Sequence, residues 1–381
     1  MNYSERLTLF EQDLASRAEL AFLPISADLQ YLTGVPRDLP TFGWTMHPGA
    51  WLEGLWVCPG KGSVLTLPRM TAEFGGLGNQ PGMDLRVLGD HDDPSDLVAG
   101  ILDGFQLQSR PRIATGDRAH AETLFGLQAL RPGAQFQSAT EILRRQRVIK
   151  GEDEIDVMRA AGAITEAAFR DAIPKFRHGM TEQEIISEVN FQLRRHGSLG
   201  ESFTSSLYNS GPDHPLLMGQ RLKSMKRTLN PPVALQFDFG AILDGYCYDF
   251  GRTISFGQPD DEFVRIHALV MASQAAGIAA LQAGVHTTAQ TDAIARQVIE
   301  EGGYGEAFRH RLGHAIGLDV HEPPFLTASD QTLLQVGMLF TIEPSIMQFD
   351  SWSARVEDVV VARPGGGEKL TNSYQNLIVI D

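Results

Sequence analysis

The chain has 381 residues, 43% of them apolar and 21% charged, which suits a folded protein of two domains and excludes a disordered chain. Its 32 basic and 47 acidic residues give a net charge of −15, which argues against a nucleic-acid partner. No apolar run approaches the roughly 20 residues of a membrane span, and scattered charges at the N-terminus argue against a signal peptide. We therefore expect a cytoplasmic protein that binds neither nucleic acid nor membrane.

The first part of the chain alternates short helices and strands. Apolar spacing predicts a helix over residues 5–18 and another at about 119–130. Apolar runs at 55–58 and 64–68, bounded by Gly and Pro, are typical of strands. The alternation predicts a mixed α/β domain over residues 1–145, followed by a second domain over 146–381.

The second part separates helices from strands. An acidic turn at residues 152–154 predicts a helix to about 173, because the helix dipole favours carboxylates at its start. Strand-rich stretches at 202–256 and 336–380 are split by helices predicted at about 260–282 and 288–301. This arrangement predicts an α+β domain.

Two carboxylates, Asp238 and Asp249, lie among aromatic residues on either side of a turn at Asp244 and Gly245. The turn predicts a hairpin, and a pairing axis near residues 243–244 would place the two acids side by side. Adjacent buried carboxylates repel each other unless a cation lies between them. The pair therefore indicates a cation site; the alternative is one acid in a turn network and the other in solvent.

Two further acids and three histidines follow. Glu343 and Glu357 each lie in an apolar strand, and three of the 11 histidines, His310, His314 and His321, fall within 12 residues. A lone histidine is more often a core or surface residue, but three together beside glycines favour a functional site.

Five of these side chains form a set of hard ligands suited to Mn²⁺, Co²⁺, Zn²⁺ or Mg²⁺. Four carboxylates balance the charge of two divalent ions, and two ions roughly 3.5–4 Å apart suit hydrolysis of an acyl–nitrogen bond. The set is Asp238, Asp249, His314, Glu343 and Glu357.

The order of these ligands resembles metallopeptidase family M24, whose pita-bread fold is shared by methionine aminopeptidase, aminopeptidase P, prolidase and creatinase. The segments that carry the likeness are FDFG, DGYCYDFGRT, GHAIGLDVHE, FTIEP and ARVED. The N-terminal part is similar in outline to the creatinase-type domain of the proline-specific branch. The resemblance implies an α+β pita-bread catalytic domain preceded by a smaller mixed α/β creatinase-type domain.

The resemblance also implies the role of each ligand to two divalent ions, Mn²⁺, Co²⁺ or Zn²⁺. Asp238 would chelate one ion, and Asp249 and Glu357 would bridge both. His314 and Glu343 would complete the separate coordination spheres.

Further residues take catalytic roles by the same resemblance. His321 would contact the substrate near the scissile carbonyl, and His310 would lie on the leaving-group side. Glu343 would double as a general base. Arg355 would hold carboxylates in place; an ordinary ion pair is the alternative.

One position departs from the family pattern. Aligning on Gly211 and Pro212 puts Met218 where the family has a proton-shuttling histidine, and methionine neither accepts nor donates a proton. His214 is the candidate replacement; alternatively it is a turn residue. The change bears on rate and substrate and leaves the metal ligands intact.

The sequence therefore predicts a metallopeptidase that splits Xaa-Pro bonds of a proline-containing dipeptide or short peptide. It would be a Xaa-Pro dipeptidase (prolidase) or a Xaa-Pro aminopeptidase, and the short N-terminal domain favours the dipeptidase. The resemblance implies a homodimer. Two alternatives remain: hydrolysis of a non-peptide amide, as by creatinase or ectoine hydrolase, and a non-catalytic binding module, although the intact ligand set counts against the creatinase branch and the binding module.

Overall fold

The computed structural model describes residues 1–37, 47–74, 83–217, 219–374 and 376–380. These residues divide into two compact units, one ending at Arg147 and the other beginning at Val148.

The first unit contains a six-stranded mixed sheet, ordered β4-β3-β2-β1-β5-β6, with buried apolar side chains packed against its helices. Within the core, the rings of Phe22 and Trp56 lie 4.4 Å apart. Its strands are β1 (Leu20–Pro24), β2 (Gly54–Cys58), β3 (Gly62–Pro68), β4 (Asp84–Leu88), β5 (Arg112–Thr115) and β6 (Gln135–Ser138). Its helices are α1 (Tyr3–Ala15), α2 (Ala27–Thr33), α3 (Arg69–Phe74), α4 (Pro94–Gly104), α5 (Ala121–Leu130) and α6 (Thr140–Arg147).

The second unit contains the helices α7 (Glu152–Ala172), α8 (Glu182–Arg195), α9 (Arg221–Met225), α10 (Asp261–Ala280) and α11 (Thr288–Glu301). Capping boxes at Thr181 and Thr287 begin α8 and α11. Each threonine hydroxyl accepts the backbone N–H of the residue three positions on, and the side chain of that residue accepts the backbone N–H of the threonine.

Two main sheets of the second unit carry the predicted ligands. One has the order β19-β11-β8-β7 and the other β13-β12-β14-β17-β18. Strands β9 and β10 form a separate two-stranded sheet, as do β15 and β16. The strands of the unit are β7 (Ser206–Ser210), β8 (Val233–Phe239), β9 (Ile242–Leu243), β10 (Tyr246–Cys247), β11 (Phe250–Phe256), β12 (Gly313–Ala315), β13 (Glu322–Leu326), β14 (Leu339–Ile342), β15 (Ser345–Ile346), β16 (Ala354–Arg355), β17 (Asp358–Arg363), β18 (Gly366–Lys369) and β19 (Ile378–Ile380).

Helix α10 is long and apolar enough to span a membrane by length and composition alone. The core helix of a folded protein passes the same test. Phe263, Ile266 and Val270 of this helix are fully buried and belong to the core that also contains Phe340 and Val360 of the five-stranded sheet.

The hairpin register differs from the prediction. Asp244 and Gly245 have φ values of +49° and +84°, so they form a two-residue turn that pairs Leu243 with Tyr246. The same register continues into β8 and β11, where Asp238 pairs with Gly251. The predicted side-by-side pairing of Asp238 with Asp249 is therefore wrong, because the pairing axis lies one residue further along the chain.

Candidate metal centre

Asp238 and Glu357 lie on either side of Gly251, on three neighbouring backbone segments. Asp238 pairs with Gly251 across β8 and β11, and Gly251 forms a bridge on its other side with Glu357. The two bridging hydrogen bonds are 2.8 and 3.3 Å long. A Cβ atom on Gly251 would lie 3.0 Å from Oε2 of Glu357, so glycine leaves the space between the two acids open. Asp249 lies in the short break between β10 and β11.

Glu343 and Glu357 come together at the end of another ladder. Ile342 of β14 pairs with Asp358 of β17, so these glutamates are the next residues beyond the last pair. His314, in the middle of β12, lies beside them, because its neighbour Ala315 pairs with β14.

The ligand atoms of Asp249, His314 and Glu357 all lie within 4.8 Å of one another, and all three residues are buried. Nε2 of His314 is 3.7 Å from Oδ2 of Asp249 and 3.4 Å from Oε1 of Glu343. Nδ1 of His314 donates to the carbonyl of Ala315 over 3.1 Å. This bond directs the lone pair of Nε2 towards the carboxylates, as a metal-ligating histidine requires.

The carboxylates carry a strong mutual repulsion. Burial raises the pKa of Asp249 and of Glu357 well above the ordinary range, and the neighbouring acids raise both further. Burial also raises the pKa of Glu343 to about 7. The pKa of Asp238 is likewise raised by burial, although Arg355 acts in the opposite direction.

Two buried oxygens of the cluster, Oδ1 of Asp249 and Oε2 of Glu357, have no hydrogen-bond partner among the described residues. Such atoms are costly unless a cation or another donor meets them. Three buried carboxylates, the partly buried Asp238 and one imidazole with a free lone pair form a donor set that fits hard divalent cations. The residues therefore fit the metal ions that the sequence led us to expect.

Arg355 is the cation that faces this cluster most directly. Its Nη1 atom donates to Oδ2 of Asp238 over 2.7 Å and lies 3.8 Å from Oε2 of Glu343. Its Nη2 atom lies 3.4 Å from Nε2 of His310. Arg355 thus links an acid on β8 to the histidine segment that precedes β12.

The other two clustered histidines lie on different sides of the centre. The ring of His321 stands edge-on to that of His314, with centroids 4.1 Å apart. Nε2 of His310 lies 2.6 Å from the Ser345 hydroxyl, and its Nδ1 donates to the carbonyl of Arg311 over 2.7 Å. Burial lowers the pKa of His321 and lowers that of His310 to about 4, so burial favours the neutral form of both rings.

His214 has different neighbours. Its Nε2 atom accepts the backbone N–H of Asn230 over 3.4 Å, and its ring also forms a hydrogen bond with the backbone of Thr228. Burial lowers its pKa, and Arg227 adds to that shift. Met218, the position at which the sequence departs from the family pattern, lies outside the described residues.

Sequence reasoning missed Thr341 and Gly251. Oγ1 of Thr341 donates to Oε1 of Glu343 over 3.2 Å and accepts the backbone N–H of His314 over 3.1 Å, so it joins two candidate ligands. The signal for Thr341 was its place two residues before Glu343, on the same strand face. Gly251 gave no such signal, because its role depends on the register.

The comparisons with known proteins agree with this geometry. The sequence profile of metallopeptidase family M24 matches residues 156–364. The chain therefore belongs to metallopeptidase family M24, and it is a hydrolase of the class that uses divalent metal ions on peptides. The predicted pita-bread fold with a mixed α/β N-terminal part is confirmed.

Several of the relatives that this chain resembles within the family are named dipeptidases. The chain is 29% identical to the putative dipeptidase YkvY of Bacillus subtilis over the full length of both. It is 33% identical to the probable dipeptidase PepE of Mycobacterium tuberculosis over 76% of this chain and 75% of that one. The solved structure of a dipeptidase from Pyrococcus horikoshii superimposes with a TM-score of 0.84 at 29% identity, covering 98% of this chain and all of that one.

Proposed function

We propose that this protein is a cytoplasmic Xaa-Pro dipeptidase that works as a homodimer with two divalent metal ions, Mn²⁺, Co²⁺ or Zn²⁺. The observation that carries the proposal is the buried cluster of Asp249, His314 and Glu357, whose ligand atoms lie within 4.8 Å of one another. The substrate is supported by a relative from Pyrococcus horikoshii that is named Xaa-Pro dipeptidase and is 31% identical over 64% of this chain and 68% of that one.

Residues 1–145 form a creatinase-type domain in this proposal, and residues 146–381 form the catalytic domain. Within the latter, two ions would supply Lewis acidity for the scissile carbonyl and would lower the pKa of a water, so that its nucleophilic deprotonated form is available at neutral pH. They would be held by Asp238, Asp249, His314, Glu343 and Glu357.

The chain's own residues then have separable tasks. Glu343 is the general base that the family resemblance implies, and its carboxyl lies 3.4 Å from Nε2 of His314. His321, whose ring lies against that of His314, donates a hydrogen bond to the carbonyl oxygen of the substrate, as the family resemblance implies. Arg355 holds Asp238 by its 2.7 Å hydrogen bond.

One of the remaining two histidines lies on the leaving-group side, and the other exchanges a proton. His310 faces the leaving proline from beside Arg355. His214 takes over the proton exchange that Met218 cannot perform. Its support is its position four residues before Met218, in the turn that the backbone bridge between Gly211 and His214 closes.

The deciding experiment measures proline release from Ala-Pro and cleavage of Ala-Pro-Ala, with Ala-Ala as the control substrate. The protein is stripped with a chelator and then reloaded with Mn²⁺, Co²⁺ or Zn²⁺. Metal-dependent cleavage of Ala-Pro, with little action on the other two peptides, is expected. Preferential cleavage of Ala-Pro-Ala would identify an aminopeptidase instead.

Metal content separates the remaining outcomes. Metal-loaded protein that cleaves neither proline peptide would overturn the proposal in favour of a non-peptide amide substrate. Protein that binds no metal at all would point to the non-catalytic binding module.

A further inference from the structure

A partly buried ion pair on α11 contacts the backbone of the segment that carries His310. Arg296 and Asp292 form a two-pronged pair, with N–O distances of 3.0 Å from Nε to Oδ2 and 2.9 Å from Nη2 to Oδ1. The Asp292 side chain is 3% exposed and that of Arg296 is 25% exposed. Such planar, two-pronged pairs fix geometry more strictly than single contacts do.

Each member of the pair also binds the backbone of residues 308–312. Arg296 donates from Nη1 to the carbonyl of Phe308 over 3.0 Å and from Nη2 to the carbonyl of His310 over 2.8 Å. Asp292 accepts the backbone N–H of Leu312 over 2.9 Å. The guanidinium also lies over the Phe308 ring, 4.0 Å from its centroid. One pair of side chains thus fixes three backbone groups of this segment.

The fixed segment in turn holds two residues of the candidate centre. The carbonyl of Leu312 accepts the backbone N–H of Glu343 over 2.9 Å. His310 reaches Ser345 and Arg355 through its ring. A shift of residues 308–312 would therefore move Glu343 and His310 together.

We infer that Asp292 and Arg296 are positioning residues, which set Glu343 and His310 at the correct distance from the rest of the centre. The inference rests on the proposed function for its catalytic consequence. Within the described part of the chain, the hydrogen bonds of this pair reach the backbone of residues 308–312 and not the candidate ligand atoms, so the effect passes through that backbone. A displacement of a catalytic group by about 1 Å is enough to slow an enzyme strongly.

The test compares Arg296→Met and Arg296→Lys with a matched control, Arg159→Met. Like Arg296, Arg159 lies on a helix and forms ion pairs. Its partners, Asp156 and Glu368, lie outside the candidate centre. In Arg296→Met, kcat for Ala-Pro is expected to fall at least tenfold while KM changes less than threefold. Arg296→Lys should recover part of kcat, because it keeps the charge and one donor. The control should stay within twofold.

Hydrogen–deuterium exchange supplies a readout that does not depend on activity. In Arg296→Met, exchange of a peptide covering 306–313 is expected to rise at least tenfold, with no change in the control. If Arg296→Met does not fold, Asp292→Asn replaces it, because it keeps an acceptor for Leu312 and removes the ion pair. A kcat within twofold of wild type, or a loss confined to KM, would overturn the inference. A wild type that releases no proline overturns the proposed function, while the exchange still decides whether the pair holds the segment.

Discussion

Arg355 and Asp238 are joined by a 2.7 Å hydrogen bond from Nη1 to Oδ2, with both side chains less than one-fifth exposed. This guanidinium opposes the rise that burial produces in the pKa of Asp238. An aspartate must be ionised to bind a metal ion, so the hydrogen bond favours the form that binds.

Replacing Arg355 with Met should therefore shift metal binding to higher pH. The pKa of Asp238 rises when the cation is removed, so protons compete with the ion over a wider range. We expect the pH of half-maximal Mn²⁺ binding to move up by about one unit. Calorimetric titrations between pH 5.5 and 8 measure this shift, and Arg355→Lys is the matched control that keeps the charge. An unchanged pH of half-maximal binding would mean that Arg355 only packs against the site.

Replacing Glu357 with Ala should abolish activity and reduce the metal content from two ions to fewer than one. Glu357 is 1% exposed, and its Oε2 atom has no partner among the described residues, so its loss removes a ligand that nothing else replaces. Elemental analysis after dialysis and proline release from Ala-Pro are the measurements. The control is Glu368→Ala, since Glu368 lies at the surface in ion pairs with Arg159 and Arg363. A Glu357→Ala protein with two ions and near-normal turnover contradicts the assignment.

Gly251→Ala tests whether the open space between Asp238 and Glu357 matters. The new Cβ would lie 2.8 Å from Cβ of Glu357 and 3.0 Å from its Oε2, so the glutamate must move. We expect a loss of about 1–3 kcal/mol in the free energy of unfolding, as is typical of overpacking, together with weaker metal binding. Denaturant unfolding and metal titration measure both effects. Gly100→Ala, in α4, is the control, because the methyl group that it adds would meet no described atom within 4 Å. Its stability should not fall, and equal losses in the two variants would contradict the steric argument.

The metal-free protein should reveal the raised pKa of Glu343. Below pH 4.5 the carboxyl is protonated in both the folded and the unfolded chain. Between pH 4.5 and about 7 only the unfolded chain ionises, so this group lowers the free energy of unfolding as the pH rises. Glu343→Gln lacks the effect, and its stability advantage over wild type should grow by about 3 kcal/mol across that window and then level off. Urea unfolding of chelated protein at pH 4.5, 6 and 8 provides the measurement, and an advantage that does not vary with pH would contradict it.

Met218→His tests the departure from the family pattern. If proton transfer limits the rate, a histidine at this position should leave kcat unchanged or raise it, since imidazole exchanges protons near neutral pH. Steady-state kinetics with Ala-Pro from pH 6 to 9 measures the effect, with Met218→Leu as the control that keeps an apolar side chain. A large loss in Met218→His that Met218→Leu does not share would show that the methionine shapes the site by its apolar character.

The ligand types and their local settings could be predicted from the sequence. The segments around Asp238, His314 and Glu343 carry residue patterns that depend only on neighbours along the chain. The helices α7 and α11 were also predictable, because acidic first turns and capping residues act within a few residues. The family profile over residues 156–364 confirms the resemblance that these segments carried.

The register of the first hairpin was predicted wrongly, and the reason is local. A one-residue difference in the pairing axis follows from two positive φ values at Asp244 and Gly245. The sequence indicated a turn there, but it left open which residues would flank it. That choice placed Gly251, and not Asp249, opposite Asp238.

The amino-acid sequence by itself determined the chemistry available to this protein: four carboxylates, three clustered histidines and the motifs that hold them. Tertiary structure alone decided how these groups meet, because their contacts join residues that lie far apart in the chain. The bridge between Gly251 and Glu357, the bond from Arg355 to Asp238 and the hold of Arg296 on the His310 segment depend on which strands and helices pack together. Local patterns specify ligands, whereas distances between ligands come from packing.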